Sequence, residues 1–149
     1  MARNNNFSFK LNWVNSMNYK IKIGDKATLS KAFSEIEVEN FSKISLDDNP
    51  IHLNSEYAKN TVFGKPIVHG ILVASLLSGL MGGKFPGHGT VYLGQTLNFK
   101  APVYIDEEVE ASVEVVKIRA DKPIVTLKTQ CVKSDGTIAL EGEAVVKIS

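Results

Sequence analysis

The stretch GILVASLLSGLMGG, Gly70 to Gly83, constrains this chain more than any other. It is apolar on nearly every side and stops at two glycines. A helix with that pattern has to be covered by the rest of the protein. It falls short of the roughly 18 apolar residues that a bilayer crossing requires, and no other run in the chain reaches that length. The expected element is therefore a central buried helix, and the remainder of the sequence must supply its cover.

The second half reads as that cover. Val91 to Val103 is strand-like, with Pro102 near its end. Val109, Ala111, Val113 and Val115 alternate with Glu108, Glu110, Ser112 and Glu114, the period-two mark of a half-buried strand. IVTLKTQCV continues the pattern, and Asp135-Gly136 supplies a hairpin turn. Ile138, Leu140, Ala144, Val146 and Ile148 alternate to the end, with Gly142 in the same phase. Antiparallel strands following one buried helix predict an α+β fold, a curved sheet wrapped around that helix.

Ahead of the helix, Asp25 to Phe33 suits an early strand. Ser34 followed by Glu37 is a capping-box pattern, and Val38, Phe41 and Ile44 give the next helix an apolar face that ends near Leu46. Asn54-Ser55-Glu56 can cap another short helix through Lys59. The first residues, 1–19, read as an arm or extension, in which Phe7, Phe9, Leu11 and Trp13 alternate as in a strand. Residues 20–149 form one domain, without repeats or linkers. The chain's 149 residues are 44% apolar and 22% charged, which is globular composition. A net charge of +1 without a basic, aromatic-interleaved cluster argues against nucleic acid as the main partner. The single cysteine, Cys131, excludes an internal disulfide and a multi-thiolate metal site, and its strand setting suggests a buried structural thiol. Without a signal-peptide pattern, the expected compartment is the cytoplasm.

The polar stretch SLDDNPIHLN, Ser45 to Asn54, has two readings. In one, Asp47 or Asp48 caps a turn and His52 is a satisfied, partly buried residue. In the other, Asn49-Pro50 folds the chain so that Asp47 and His52 face one point and hold a water between them. The carboxylate would then favour the protonated imidazole, and burial would raise the carboxylate's own pKa. Asp47, Asp48 and His52 make a weak metal set, so no metal and no cofactor is expected. At VHG, the first-turn N–H groups of the buried helix lack intrahelical partners, and Gly70 leaves room for a carbonyl oxygen to dock. Close packing would explain that glycine equally well. His69 reads as a packing or hydrogen-bonding residue and His88 as a loop residue. Ser78 is either a donor to Asp47 or a small polar residue of a packed helix.

Taken together, DDNPIH, FGKPIVHGILVASLLSGLMG at its distance downstream, and LNFKAPVYIDEEVEASVEV resemble the MaoC-like, (R)-specific enoyl-CoA hydratases over roughly residues 20–149. The resemblance implies a hot-dog fold, usually paired into a dimer, and hydration of a trans-2-enoyl thioester to an (R)-3-hydroxyacyl thioester. It implies Asp47 and His52 as the catalytic pair, Gly70 as the thioester-binding N–H, and Ser78 and Asn49 in support. Related alternatives are a 3-hydroxyacyl dehydratase acting on acyl carrier protein and a non-catalytic acyl-thioester-binding subunit. A thioesterase would need a carboxylate on the helix, and Gly70 to Met81 has none. The family often has glycine before its catalytic aspartate where this chain has Leu46, so a positive φ there would strain the leucine. Asp48, a second carboxylate beside the pair, is expected to point outward.

Overall fold

In the computed structural model, which describes residues 20–149, the chain runs β1 (Lys26–Ala32), α1 (Glu35–Ser45), α2 (Pro50–Leu53), α3 (Ser55–Lys59), α4 (Gly70–Gly83), β2 (Val91–Gln95), β3 (Asn98–Phe99), β4 (Glu108–Ile118), β5 (Ile124–Lys133) and β6 (Ile138–Lys147). The alternation expected of residues 1–19 lies outside the described residues. All strand pairings are antiparallel, in the order β1-β4-β5-β6-β2, with β3 also on β6.

Period-two patterning sets which face of the sheet meets the helix. Val109, Ala111, Val113 and Val115 on β4, Val125, Leu127 and Cys131 on β5, and Leu140, Ala144 and Val146 on β6 are buried with Val73, Leu76, Leu77, Leu80 and Met81 of α4. Thr129, in phase with Leu127 and Cys131, is also buried, and its hydroxyl accepts from Gln95 Nε2 at 2.9 Å. The Cys131 thiol lies 3.9 Å from the Val73 carbonyl and is a buried free cysteine. The β5–β6 turn forms at Asp135-Gly136, where Gly136 has φ 86° and Asp135 Oδ1 accepts from the Thr137 N–H at 2.9 Å.

Three expectations change in detail. The strand-like run 91–103 is two short strands, because the chain breaks between Gln95 and Asn98; there Thr96 N–H bonds to the Glu143 carbonyl at 2.9 Å. The apolar face of α1 is narrower than its spacing suggested. Val38 and Ser42 are buried, one turn apart, while Ile44 is exposed. Finally, the described residues cover α4 on one side only. Ile71, Ser75, Ser78, Gly79 and Gly82 form an exposed stripe along the other. Most of that stripe is serine or glycine, so exposing it to water costs little apolar burial.

Helix α1 opens as the capping box requires. The Glu37 carboxylate accepts from the Ser34 N–H at 2.9 Å and from its hydroxyl at 3.0 Å, and Lys31 Nζ lies 2.7 Å away. These bonds, led by Lys31, hold the Glu37 carboxyl down at about 2.

Candidate active site

Helix α1 ends at Leu46, whose φ of 62° and ψ of 18° place it in the left-handed region. That turn directs the chain away from the helix and delivers Asp47. Three bonds fix the main chain there. The Asp47 carbonyl accepts from Ser42 Oγ at 2.6 Å and from His69 Nε2 at 3.1 Å, and the Asp47 N–H donates to Ser45 Oγ at 3.2 Å. Asn49 then caps α2 by accepting the Ile51 N–H at 3.2 Å, with Pro50 in the first helical turn where its missing N–H is harmless. The turn expected at Asn49-Pro50 is thus one turn of helix, and it carries His52.

His52 is anchored across fifteen residues. Its Nδ1 lies 2.7 Å from the Ile67 carbonyl, and the Ile67 N–H bonds back to the Ile51 carbonyl at 3.3 Å. A carbonyl can only accept, so Nδ1 carries the proton and Nε2 keeps a free lone pair. The same segment is tied to the sheet side through Val68 N–H to the Val103 carbonyl at 2.8 Å and a bridge between Ile67 and Tyr104. It then enters α4 at His69.

The two imidazoles stack, with ring centroids 3.8 Å apart and planes inclined by 26°. Phe41 meets His69 edge-on at 5.0 Å. One donor atom each from Asp47, His52 and His69 fall within 4.8 Å of one another. His52 Nδ1 and His69 Nε2 are committed to carbonyls, however, which leaves the carboxylate, His52 Nε2 and His69 Nδ1 as the remaining acceptors of the cluster. Among the described residues, the buried His69 Nδ1 has no hydrogen-bond partner.

Burial pushes the His52 imidazole below its ordinary 6.5, and neighbouring His69 acts the same way; the Ile67 carbonyl and Asp47 act in the opposite direction without prevailing. Asp47 does favour the protonated ring, as expected, but desolvation outweighs it and sets the net direction. The Asp47 side chain is half exposed rather than buried, and Asp47 Oδ1 accepts the Asn49 N–H at 3.3 Å. Both readings of the stretch are thus realised in part: Asp47 closes a turn and also faces the histidine cluster. Asp48 is exposed, as expected, with no hydrogen bond or ion pair among the described residues.

Gly70 opens α4, and its N–H has no hydrogen-bond partner among the described residues. A Cβ there would stand 2.7 Å from Phe99 Cε1, so the Phe99 ring packs closely over the bare glycine. Gly70, Ile67, Phe99 and Leu140 line an apolar cavity of about 420 Å³ that opens beside the helix start. Ser78 makes no hydrogen bond to Asp47 and lies on the exposed stripe of α4. Eight residues past Gly70 is about 12 Å along the helix axis. Ser42 takes the place expected of Ser78 within this chain. Its signal was a serine on the buried face of α1, one turn after Val38.

An antiparallel sheet curled over one central helix, with a carboxylate–imidazole cluster at that helix's start, defines a hot-dog domain. The family model described as "MaoC like domain" matches residues 16–135, and the chain belongs to this family. It is 52% identical over 128 residues to an (R)-specific enoyl-CoA hydratase of Aeromonas caviae, covering 86% of this chain and 96% of that one. A mitochondrial 3-hydroxyacyl-[acyl-carrier-protein] dehydratase of Solanum lycopersicum is 42% identical over 126 residues, covering 83% of this chain and 75% of that one. Among solved structures, an A. caviae (R)-hydratase involved in PHA biosynthesis superposes with a TM-score of 0.86 at 50% identity, covering 88% of this chain and 99% of the other.

Proposed function

We propose that this chain is an (R)-specific enoyl-CoA hydratase, adding water reversibly to a trans-2-enoyl-CoA to give the (R)-3-hydroxyacyl-CoA, with Asp47 and His52 as its catalytic residues. The observation that carries the assignment is the clustering of the Asp47 carboxylate with His52, an imidazole held through Nδ1, at the foot of a helix whose first N–H has no partner among the described residues. A water held by these two acceptors has one O–H aimed at each. His52 Nε2 takes one proton as the water oxygen bonds to C3. The C2–C3 π pair moves to C2 and the thioester carbonyl, where the Gly70 N–H meets the developing negative charge. The pair then delivers the proton to C2, and the water's atoms are fully accounted for.

A neutral imidazole below its ordinary pKa suits the base role at neutral pH. The apolar cavity beside Gly70 offers room for the apolar part of the substrate. The reverse direction, dehydration of a 3-hydroxyacyl group on acyl carrier protein, uses the same atoms and is the activity named for the S. lycopersicum relative. The chain is also proposed to act as a homodimer. Among the described residues, β2 leaves Val91 and Leu93 exposed, and nothing covers the Ile71–Gly82 stripe of α4.

The test follows loss of the conjugated-thioester absorbance of a short enoyl-CoA, with chiral analysis of the product. The (R)-alcohol is expected, whereas no turnover or an (S)-product rejects the reading. Asp47→Asn and His52→Gln are each expected to lower kcat by about 100-fold or more. Full activity in both would leave the fold and remove the site.

A further inference from the structure

We propose that His69 is a positioning residue for the pair, a single buried ring that fixes where Asp47 and His52 stand relative to one another and to Gly70. Resting on the hydratase reading, this adds to the site a side chain that reads in the sequence as an ordinary packing or hydrogen-bonding histidine.

The ring of His69 is 2% exposed and touches both proposed catalytic residues. Its Nε2 donates to the main-chain carbonyl of Asp47 at 3.1 Å and stands 4.0 Å from Asp47 Oδ2. Its face lies on His52 at 3.8 Å, and Phe41 closes the remaining side edge-on. As N-cap of α4, it also precedes the Gly70 N–H directly. A shift of this one ring therefore moves the carboxylate, the base and the oxyanion donor together.

The tautomer adds a second, independent observation. With Nε2 donating to a carbonyl, Nδ1 is left as a buried acceptor that no group among the described residues satisfies. Buried polar atoms without partners are rare because each forfeits its hydration. An apolar ring would pack there without that loss, so imidazole at this position is not what stability alone selects.

Electrically, the titratable groups acting on His52 are His69, from the start of α4, and Asp47, from the turn after α1; the Ile67 carbonyl is the polar contact on the other flank. His69 opposes charge on His52 and Asp47 favours it. Removing the His69 ring takes away one of the two influences that oppose charge on His52, the larger one, burial, remaining.

The test uses His69→Phe, which keeps a flat ring and loses the donor, and His69→Gln, whose amide nitrogen can reach the Asp47 carbonyl. His69→Phe is expected to lower kcat about 10- to 100-fold with KM changed less than about threefold, as for a small misplacement of reacting groups. Its thermal midpoint is expected to stay at or above that of the parent. His69→Gln is expected to recover most of kcat. In both, the His52 imidazole, followed by NMR, should titrate at higher pH than in the parent, and the acid limb of kcat/KM should move with it. Parent-like kcat in both variants, or an unmoved His52 midpoint, overturns the proposal. Should His69→Phe fail to fold, His69→Gln decides on the same two readouts. The NMR titration needs no turnover, so failure of the hydratase reading shows separately, as an inactive parent protein.

Discussion

A leucine at a left-handed backbone position carries strain that its side chain does not repay. At Leu46 a Cβ meets the following carbonyl, at a cost of about 1–2 kcal/mol relative to glycine. The side chain is 84% exposed, so little packing opposes the change. Leu46→Gly is expected to raise stability by up to about 1 kcal/mol, after allowing for the greater freedom of glycine in the unfolded chain. A higher urea midpoint at unchanged slope would show it. The residue scale also sets the response to pH. His52 has its folded-state pKa lowered, so its neutral form contributes stability above pH 6.5, lost progressively as pH falls through the lower folded value. The same direction applies to catalysis, and the acid limb of kcat/KM is expected to have its midpoint below 6.5. Asp47, His52 and Gly70 are open to purely structural readings on type and spacing alone, and only the resemblance of the paired motifs singles them out. Ser42 offered only its place on the buried face of α1, and His69 offered nothing beyond its type, since its partners are a main-chain oxygen and a ring distant in sequence.

Each helix start in this chain does a different job. The start of α1 holds a carboxylate in the capping box, with Glu37 held at about 2 by Lys31 and Ser34. Its folded pKa is depressed, so the contribution is present above pH 4.5 and lost as pH falls towards 2. Glu37→Gln is therefore expected to lower the thermal midpoint at pH 7 and to match the parent near pH 2. The start of α4 holds an unpaired N–H under the Phe99 ring. In Gly70→Ala the new methyl would sit 2.7 Å from that ring, which is half exposed and can swing aside. Stability is expected to change by less than about 1 kcal/mol, since alanine is the better helix former, while enoyl-CoA turnover falls sharply. Alternation made β4, β5 and β6 legible, and the Ser34–Glu37 spacing made the start of α1 legible. The short helix α2 was hidden by its length: four residues hold too little pattern to separate a turn from a helix.

Across the whole molecule, closure of the sheet depends on one bare position. Gly142 faces the core side of β6 where the Thr96 main chain crosses, and a Cβ there would stand 1.8 Å from the Thr96 carbonyl oxygen. Backbone cannot step aside as a side chain can, so Gly142→Ala is expected to cost more than about 3 kcal/mol, as severe overpacking does. Loss of folded yield, or a collapsed urea midpoint, would register it. The sequence showed glycine in phase with the core there, but not the strand that crosses it, because that contact joins residues 46 positions apart. Cys131 sits at the centre of this assembly, with its thiol pushed up to about 12 by burial and set against the Val73 carbonyl. A thiolate is the form that alkylating reagents attack, and here it exists only when β5 parts from α4. The lone cysteine is thus an internal clock: its labelling rate counts openings of the native core, in the parent and in every variant above.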